Sequence, residues 1–455
     1  MTVKVHPMKK AVFSIVAKNY IPMANVLGDS VKSHHPDIPY FIIVADSYAD
    51  DDNDQQRHPI IQAKHLGIDK LEEMAFKYNV TEFCTSLKPF AFDYLFNQGY
   101  EQVIYFDPDI YVFSQLNSIF DKLSQASLVV TPHICTMQDQ YTGLVPEGML
   151  MHVGIFNFGF CAIRSSVNGK RIVAWWKVRL SDQCYADKID GLHTDQKWMD
   201  FMPSLIDDLH IERGLGYNLA IWNWHERKIK NENGQFWVVN RIDGSGLMPL
   251  VFFHYSNFAF NKAADVNLFK PKYIKNFPDL FAASDHYANK LEKESIGYYS
   301  QVYTYTYATF NNGVNISHFH RRLFRRLLDC GYKFSEPFET NNYNSFYSLL
   351  LKNKLIQDTN KTAAGKLNEE NFKGFERKLI YIQYAAQTLK WILGINRYEL
   401  LCKFSQRFVR PENQTFLIKE TDGKIPFYNE NRYINWEHVD KDFAGYTFLE
   451  EEVKG

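Results

Sequence analysis

The sequence of 455 residues contains little cysteine, no long apolar run and almost no net charge. Its 6 cysteines form no CxxC pair and no metal-finger spacing, which argues against a disulfide framework and a structural zinc site. No apolar run approaches the roughly 18 residues that cross a bilayer. The formal charge of -1 provides no overall positive field, so nucleic acid is not an expected partner.

The N-terminus is polar and basic, without the apolar core and cleavage site of a signal peptide. Together with the scattered cysteines, this predicts a cytoplasmic protein, either soluble or held at the inner face of a membrane. Aromatic residues, by contrast, are abundant at 16%. They suit a large core and also ring-lined clefts for flat or sugar-like ligands.

The first half of the chain has the pattern of an α/β sheet. Residues 11–17 and 39–45 are apolar and strand-like, and residues 19–33 between them have helical spacing. This is the β-α-β opening of a parallel, doubly wound sheet. Further strands are predicted at residues 102–106, 128–131, 156–163 and 251–255, and helices at residues 66–78, 88–97, 172–180 and 195–201.

The composition changes after about residue 265, where Tyr, Asn and Lys become frequent. Helices are predicted there at residues 285–294, 319–329 and 375–393. At this length two or three domains are expected. We therefore predict an α/β domain over residues 1–265 and a mainly α-helical C-terminal accessory region over residues 266–455.

Two acidic segments follow predicted strands. Asp107 and Asp109 come directly after the apolar residues 102–106, at the sheet edge where open α/β sheets bind ligands. Their oxygens suit a hard divalent cation, which can bridge the phosphates of a nucleotide. A simple turn is the alternative interpretation of Asp-Pro-Asp. The acidic residues 46–56 are expected to form a solvated surface loop.

The sequence VIYFDPDIYV at residues 103–112 resembles the DxD motif of the GT-A nucleotide-sugar glycosyltransferases, and is most similar to that of glycosyltransferase family 8. Other segments that resemble this family follow in the expected order. They are Ala17-Lys18-Asn19-Tyr20 at the end of the first strand, FNFGF at residues 156–160, the pair Asp195-Gln196, and His254. The resemblance covers roughly residues 10–260.

This resemblance implies a GT-A fold with a mixed, mostly parallel sheet, and a retaining hexosyltransferase. The donor would be a nucleoside-diphosphate sugar, with a UDP-sugar favoured, and the acceptor a glycan or lipid-linked saccharide. Mn²⁺ or Mg²⁺ would bind to Asp107, Asp109 and His254, and Asp195 and Gln196 would flank the reacting carbon. The remaining expected donor contacts are Ala17, Asn19, Tyr20, Asp107, Asn157 and Gly159. The family often has an Asp two residues before the early Asn, whereas this chain has Ala17 at that position.

Several site residues have ordinary structural alternatives. Lys88 is predicted to add positive charge near the nucleotide or sugar, and a solvated lysine at a helix start is the alternative. Asp195 at the start of a helix is an N-cap by default, and a lone His254 at a strand end is commonly structural. If the enzyme inverted configuration, it would need a carboxylate base, for which Asp200 or Glu226 is available besides Asp195.

Two other functions remain open from the residues alone. One is a nucleotidyltransferase that makes the activated sugar, which would ordinarily carry an early Gly-rich phosphate loop. Residues 12–30 contain a single glycine, Gly28, so no such loop is visible there. The other alternative is a non-catalytic carbohydrate-binding protein on the same fold. Residues 216–227, which include Trp222 and Trp224, would form an acceptor-side loop or pack in the core.

Two basic segments suggest peripheral membrane contact. Residues 318–328 form a short basic helix with an apolar stripe, and residues 376–410 carry seven Lys or Arg against two acidic residues. Such segments can lie on an anionic bilayer that holds a lipid-linked acceptor. Ordinary helix packing with solvated arginines is the alternative.

Overall fold

The computed structural model describes residues 8–48, 57–256, 276–294, 302–334, 336–356, 374–421 and 425–428. The chain divides into two compact units. The first unit contains the described residues of Met1–Leu71 and Val80–Thr306, and the second contains Glu72–Asn79 and the described residues from Tyr307 onward. The compact units therefore divide after Thr306, whereas the change of composition lies near residue 265.

The described strands all belong to the first unit. Their bounds are β1 Lys10–Val16, β2 Tyr40–Val44, β3 Ile60–Gln62, β4 Gln102–Phe106, β5 Ile110–Val112, β6 Leu128–Pro132, β7 Phe156–Arg164, β8 Leu209–Ile211, β9 Arg227–Glu232, β10 Gln235–Asn240, β11 Met248–Pro249 and β12 Phe252–His254.

The α-helices occur in both units. In the first half of the chain they are α1 Ile21–His34, α2 Leu71–Lys77, α3 Val80–Ser86, α4 Lys88–Asn97, α5 Asn117–Leu123, α6 Glu147–Val153, α7 Val167–Gln183 and α8 Met202–Leu205. Those that follow are α9 Phe281–Lys293, α10 His318–Asp329, α11 Phe346–Lys352, α12 Phe375–Leu393 and α13 Ile395–Phe408. Short 3-10 turns include Lys18–Tyr20, which leads into α1, and Lys197–Phe201.

The central sheet has seven strands in the order β3-β2-β1-β4-β7-β6-β8. Strand β7 is antiparallel to both of its neighbours, β4 and β6, while the other adjacent pairs are parallel. The end of β4 and the start of β7 therefore meet at one edge. The predicted architecture, a mixed and mostly parallel α/β sheet followed by a mainly helical C-terminal region, is confirmed.

The apolar runs of the sequence fill the core on both faces of this sheet. Every residue of β4 is buried, and in β1 only Lys10 is not. Near-continuous apolar strands are typical of sheets covered on both sides. Helix α1 covers one face with Ala24, Leu27 and Val31, which recur at helical spacing and are fully buried.

Two smaller sheets lie outside the central one. Strands β9, β10 and β11 form an antiparallel sheet that the sequence pattern did not predict. Strand β12, which was predicted over residues 251–255, pairs with β5 instead of joining the central sheet. This pairing brings the chain back to the end of β4, because β5 follows β4 after only three residues.

The second unit contains the basic helix α10, whose arginines are buried. Ser317 and His320 form a capping box at its start, and Arg321, Arg322, Arg325 and Arg326 are at most 8% exposed. Arg325 pairs with Glu412, with 2.8 Å between Nη2 and Oε1. The prediction that residues 318–328 lie on a membrane is therefore wrong, and so is the alternative of solvated arginines, because these side chains pack inside their own unit.

Helices α12 and α13 also belong to the second unit and contact each other. Neither contains a buried residue. Among the residues that the structure describes, no helix combines the length and the apolar character needed to cross a membrane.

Candidate active site

Two carboxylates and an imidazole converge beside the end of β4. Asp107 and Asp109 lie between β4 and β5, and His254 is the last residue of β12. His254 Nε2 is 3.1 Å from Asp109 Oδ1 and 3.9 Å from Asp107 Oδ2. One potential ligand atom of each residue lies within 4.8 Å of the other two. Two carboxylates with one imidazole form a donor set that suits a divalent cation such as Mn²⁺ or Mg²⁺.

Backbone pairing holds this group of three residues together. The amide of Asp107 donates to the carbonyl of Gly159 over 2.7 Å, and the amide of Tyr255 donates to the carbonyl of Asp109 over 2.8 Å. In addition, His254 is in register with Ile110 across the β5 and β12 pair. His254 thus lies on a strand, and Asp107 and Asp109 lie in a three-residue connection that is fixed by strands at both ends.

A chain of carboxamides orients the imidazole of His254. Its Nδ1 lies 3.2 Å from Asn157 Oδ1, and the same oxygen accepts a hydrogen bond from Asn218 Nδ2 over 3.1 Å. Because Asn157 Oδ1 can only accept, Nδ1 carries the hydrogen of this bond. Nε2 is then the nitrogen that faces Asp107 and Asp109, with its lone pair available to a metal in the neutral ring.

The charge balance around His254 favours cations. Burial alone would lower the pKa of His254, but the carboxylates of Asp109 and Asp107 raise it above its usual value. The side chains of Asp107 and Asp109 are 27% and 24% exposed, so a ligand can reach them from solvent.

Gly159 makes room for the imidazole. A Cβ on this residue would lie 2.3 Å from Cε1 and 2.6 Å from Nδ1 of His254. Such distances are far below van der Waals contact, so any side chain would displace the ring. A glycine inside a strand commonly marks a close approach of this kind.

Lys88 and Asp195 form a buried ion pair next to the three metal-ligand candidates. Lys88 Nζ donates to Asp195 Oδ2 and to the carbonyl of Phe158, both over 2.7 Å, and lies 3.7 Å from Asp107 Oδ1. The side chains of Lys88 and Asp195 are 1% and 3% exposed. Burial alone lowers the pKa of Lys88, but Asp195 and Asp107 raise it above its ordinary value, so the ammonium stays charged. The alternative of a solvated lysine is therefore wrong.

Tyr105 completes the surroundings of Asp107, and the sequence did not indicate it. Its hydroxyl donates to Asp107 Oδ1, and the ammonium of Lys88 lies 4.4 Å from the centre of its ring. One oxygen of Asp107 is thereby held by Tyr105, while the other faces His254. The only available signal was a tyrosine two residues before an aspartate in a buried strand, where both side chains share one face.

Asp195 and Gln196 are anchored differently from one another. Asp195 does not cap a helix, since the turn after it begins at Lys197 and no side chain caps that turn. Gln196 Oε1 accepts from the amide of Phe158 over 3.3 Å, and its Nε2 donates to the carbonyl of Val153 over 2.8 Å. Both ends of the Gln196 amide are thus bonded to main chain, and one of these bonds lies in β7 beside Asn157.

The end of β1 forms a second part of the site. Ala17 is buried and is followed by the Lys18–Tyr20 turn. Asn19 Oδ1 is a buried atom without a hydrogen-bond partner among the described residues. Partial burial, and then the negative charge of Asp109, raise the pKa of Tyr20. A buried acceptor that lacks a donor among the described residues therefore lies in the turn before α1.

Asp46 was expected in a solvated loop, and this expectation is wrong for that residue. Asp46 is 3% exposed. Its Oδ1 accepts from the amide of Lys18 over 2.9 Å, and its Oδ2 accepts from the amide of Thr306 over 3.0 Å. Asp46 comes two residues after the end of β2, and Asp107 comes directly after β4, so a search of the strand ends would have found both. Residues 49–56 of the predicted loop lie outside the described residues.

The predicted acceptor-side loop divides into core and site residues. Trp224 packs on Phe277, with 5.6 Å between ring centres. Trp222 instead meets His254 edge to face at 5.1 Å, and its Nε1 is buried without a partner in the described part of the chain. Trp222 therefore lies at the candidate metal site, as does Asn218 of the same segment, which bonds Asn157.

The other carboxylates considered as bases are engaged by the protein. Glu226 is fully buried and accepts from the amides of Cys135 and Thr136 over 2.8 and 2.7 Å. Asp200 accepts from the amide of Ile155 over 2.8 Å and pairs with Lys197 over 2.8 Å. Neither has the geometry of a free base for an acceptor hydroxyl.

Comparison with known proteins found distant relatives. No family model matches the chain. The chain is 24% identical over 261 residues to the uncharacterized protein YfnF of Bacillus subtilis (strain 168), which covers 55% of this chain and 82% of that protein. It is also 24% identical over 273 residues to the uncharacterized protein YfnD of the same organism, covering 56% of this chain and 80% of YfnD.

Two glycosyltransferases are among the solved structures that are similar to the chain. The galactosyltransferase LgtC, in complex with donor and acceptor sugar analogs, has a TM-score of 0.37 and 14% identity, over 62% of this chain and 95% of LgtC. The glycosyltransferase GlyE of Streptococcus pneumoniae TIGR4 has a TM-score of 0.35 and 14% identity, over 67% of each chain. The low TM-scores mark the likeness as distant. The chain is thus similar in sequence to two uncharacterized proteins of Bacillus subtilis.

Proposed function

We propose that this protein is a metal-dependent, retaining glycosyltransferase that moves a hexose-type sugar from a nucleoside-diphosphate donor to a glycan or lipid-linked saccharide. The observation that carries the proposal is the convergence of Asp107, Asp109 and His254 within 4.8 Å at the end of a central strand. The buried pair of Lys88 and Asp195 lies beside them, with Lys88 Nζ 3.7 Å from Asp107 Oδ1.

The residues present fit Mn²⁺ or Mg²⁺ by donor type and by spacing. Asp107, Asp109 and His254 would hold the ion, with Asn157 fixing the ring of His254 through Nδ1. The bound ion would supply positive charge that stabilises the diphosphate as it leaves the sugar. Lys88, whose ammonium lies 3.7 Å from Asp107, adds a fixed positive charge at the same place.

The nucleotide of the donor is proposed to lie at the end of β1. Asn19 Oδ1 is a buried acceptor that lacks a donor among the described residues, and a nucleotide base such as uracil offers an N–H group. Asp46 supports this place by accepting a hydrogen bond from the amide of Lys18, the first residue of the turn that carries Asn19 and Tyr20. A UDP-sugar, the donor favoured by the motif resemblance, would meet this requirement.

Retention of configuration is the stereochemical outcome that we propose. Asp195 is held by Lys88 close to Asp107, and Gln196 follows it at the start of the Lys197–Phe201 turn. Inversion would require a free carboxylate base near the acceptor. The engagement of Asp200 and Glu226 with backbone amides and Lys197 argues against that route.

The test is donor hydrolysis by the purified full-length protein. Common UDP-, GDP-, CMP- and dTDP-sugars are incubated with Mn²⁺, and nucleotide release is followed for the wild type, Asp109→Ala and the exposed control Asp69→Ala. We expect release from one donor, abolished by Asp109→Ala and by a chelator but unaffected by Asp69→Ala.

Silent hydrolysis is resolved by measuring binding directly. If no donor is hydrolysed, binding of the same nucleotides with Mn²⁺ is measured by calorimetry, because some transferases react with the donor only when the acceptor is bound. Absence of both hydrolysis and Mn²⁺-dependent binding would refute the proposal and favour a non-catalytic carbohydrate-binding protein. Once an acceptor is found, NMR of the product reads the configuration, and a β-linked product from an α-linked donor would refute retention.

A further inference from the structure

Helices α12 and α13, which we call the C-terminal helix pair, expose large apolar side chains. Trp391 is 82% exposed and Tyr381 is 73% exposed. Other apolar side chains of the pair that are exposed are Leu379, Ile380, Ile382, Tyr384, Leu389, Ile392, Ile395, Leu400, Leu401 and Phe404. Large apolar side chains that are exposed together on a protein mark a place where a partner or a membrane binds.

The exposed apolar residues of α12 are not confined to one face, as they would be in an ordinary amphipathic helix. Leu379, Ile380, Tyr381 and Ile382 are consecutive, so they point in four directions around the axis, and all four are exposed. A helix that is apolar on all sides is normally buried on all sides. The pair nevertheless contains no buried residue.

Positive charge accompanies this apolar surface and indicates its partner. Residues 376–410 carry seven Lys or Arg against two acidic residues, including Lys378 and Lys390 towards the two ends of α12. A second copy of the chain would bring the same positive excess to the contact, and like charges oppose association. An anionic lipid surface offers the opposite charge and an apolar interior.

The aromatic residues suit the same partner. Tyr381, Tyr384 and Trp391 are exposed on α12. Tyrosine and tryptophan are enriched at membrane–water interfaces, where one end of the side chain is apolar and the other is hydrated.

We propose that the C-terminal helix pair docks the protein onto an anionic phospholipid surface, with its apolar side chains inserted at the headgroup level and its Lys and Arg residues bound to lipid phosphates. This attachment is peripheral, since no described helix is suited to span a bilayer. The inference does not depend on the proposed enzymatic function. It also separates the two basic segments of the chain, because the arginines of α10 are buried.

The experiment is flotation of the full-length protein with vesicles. Vesicles of phosphatidylcholine alone are compared with vesicles that also contain phosphatidylglycerol, at low and high salt. We expect the protein to float with the phosphatidylglycerol vesicles at low salt, to bind phosphatidylcholine weakly, and to lose most of the difference at high salt, where charges are screened.

Matched variants separate the helix pair from the rest of the surface. Trp391→Glu and the double variant Lys378→Glu with Lys390→Glu are expected to weaken binding to anionic vesicles at least about tenfold. The controls Tyr343→Glu, which also replaces an 82% exposed aromatic side chain, and Lys230→Glu should bind like the wild type. All five replaced side chains are exposed, so equal thermal unfolding midpoints are expected and would show that the fold is intact.

Two results would overturn the proposal. The first is the absence of flotation with anionic vesicles at low salt. The second is a dimer in light scattering that Trp391→Glu dissociates while vesicle binding stays unchanged, which would assign the helix pair to contact between copies. Donor hydrolysis without vesicles should be equal in all these variants, so failure of this proposal is distinguishable from failure of the enzymatic one.

Discussion

The carboxamide of Asn157 lies 3.2 Å from the imidazole of His254, measured from Oδ1 to Nδ1. Asn157 was expected to line the donor sugar. In the structure its oxygen also receives a hydrogen bond from Asn218 and faces His254. Asn157 therefore orients the imidazole of His254, and through it would act on a metal bound at the proposed site.

The substitution Asn157→Leu tests this relationship. Leucine is similar in size but cannot accept a hydrogen bond, so the ring of His254 loses the contact that directs Nε2 towards the carboxylates. We expect Mn²⁺ to bind about 10- to 100-fold more weakly, as measured by calorimetry. The exposed control Asn344→Leu should bind Mn²⁺ like the wild type. Unchanged affinity in a folded Asn157→Leu protein would contradict the role of this residue.

Gly159→Ala should disrupt the same place by steric conflict. The new methyl group would lie 2.3 Å from Cε1 of His254, so the ring or the strand must move. We expect a loss of about 1 to 3 kcal/mol in the free energy of unfolding and loss of the thermal stabilisation by Mn²⁺. The control Gly148→Ala adds a methyl group that has no atom within 4 Å and should leave both properties intact. Mn²⁺ stabilisation of Gly159→Ala equal to the wild type would refute the argument.

Substitutions in the buried pair of Lys88 and Asp195 should have different effects on stability and on donor hydrolysis. Lys88→Met leaves Asp195 buried without its countercharge. We therefore expect the free energy of unfolding to fall by about 3 to 5 kcal/mol. The double variant Lys88→Met with Asp195→Leu should regain most of that stability, but neither should hydrolyse the donor. Urea unfolding and nucleotide release measure the two properties.

A surface pair serves as the control for that comparison. Lys177 and Asp93 are equally close, at 2.7 Å, but their side chains are 31% and 41% exposed. Lys177→Met should therefore cost no more than about 1 kcal/mol. If the double variant of Lys88 and Asp195 retained donor hydrolysis, the pair would be structural only.

His133 should contribute to acid sensitivity. This residue is 4% exposed, and burial lowers its pKa to about 4. Between a pH of about 6.5 and about 4 the unfolded chain binds a proton that the folded chain does not, so stability falls as the pH falls. We expect His133→Phe to remove up to about 3 kcal/mol of this loss.

Urea unfolding at about pH 7 and about pH 4.5 measures this effect. The wild type should lose more stability than His133→Phe between the two conditions. His65→Phe, at an exposed position, controls for the loss of a histidine. Parallel pH profiles of the wild type and His133→Phe would contradict the prediction.

The long apolar elements could be predicted from the sequence because their signal is local. Helix α4, strand β4 and helix α12 have the predicted bounds, since each is a continuous pattern between polar or glycine residues. The strands β9, β10 and β11 were missed. Strand β9 has the sequence Arg-Lys-Ile-Lys-Asn-Glu, which lacks the apolar pattern of a predicted strand. Only its pairing with β10 makes it a strand.

The same limit applies to the candidate site. Asp107 and Asp109 could be found because they follow an apolar strand, and Asp46 follows the same rule although it was assigned to a solvated loop. Asn218 could not be found in this way. It contacts Asn157 across 61 residues, with a backbone φ of 55° that few residues other than glycine adopt. Such a contact exists only once the chain has folded.

The antiparallel direction of β7 has a consequence for how this protein can change in evolution. Asn157 and Gly159 lie near the start of β7, and Phe160 is in register with Phe106 at the end of β4. Inserting or deleting one residue between Asn157 and Phe160 would turn Asn157 to the opposite face of the sheet. The turn at Asn233 and Gly234, between β9 and β10, faces no such restriction. Relatives that keep this site should therefore vary in length at that turn and never within the first half of β7.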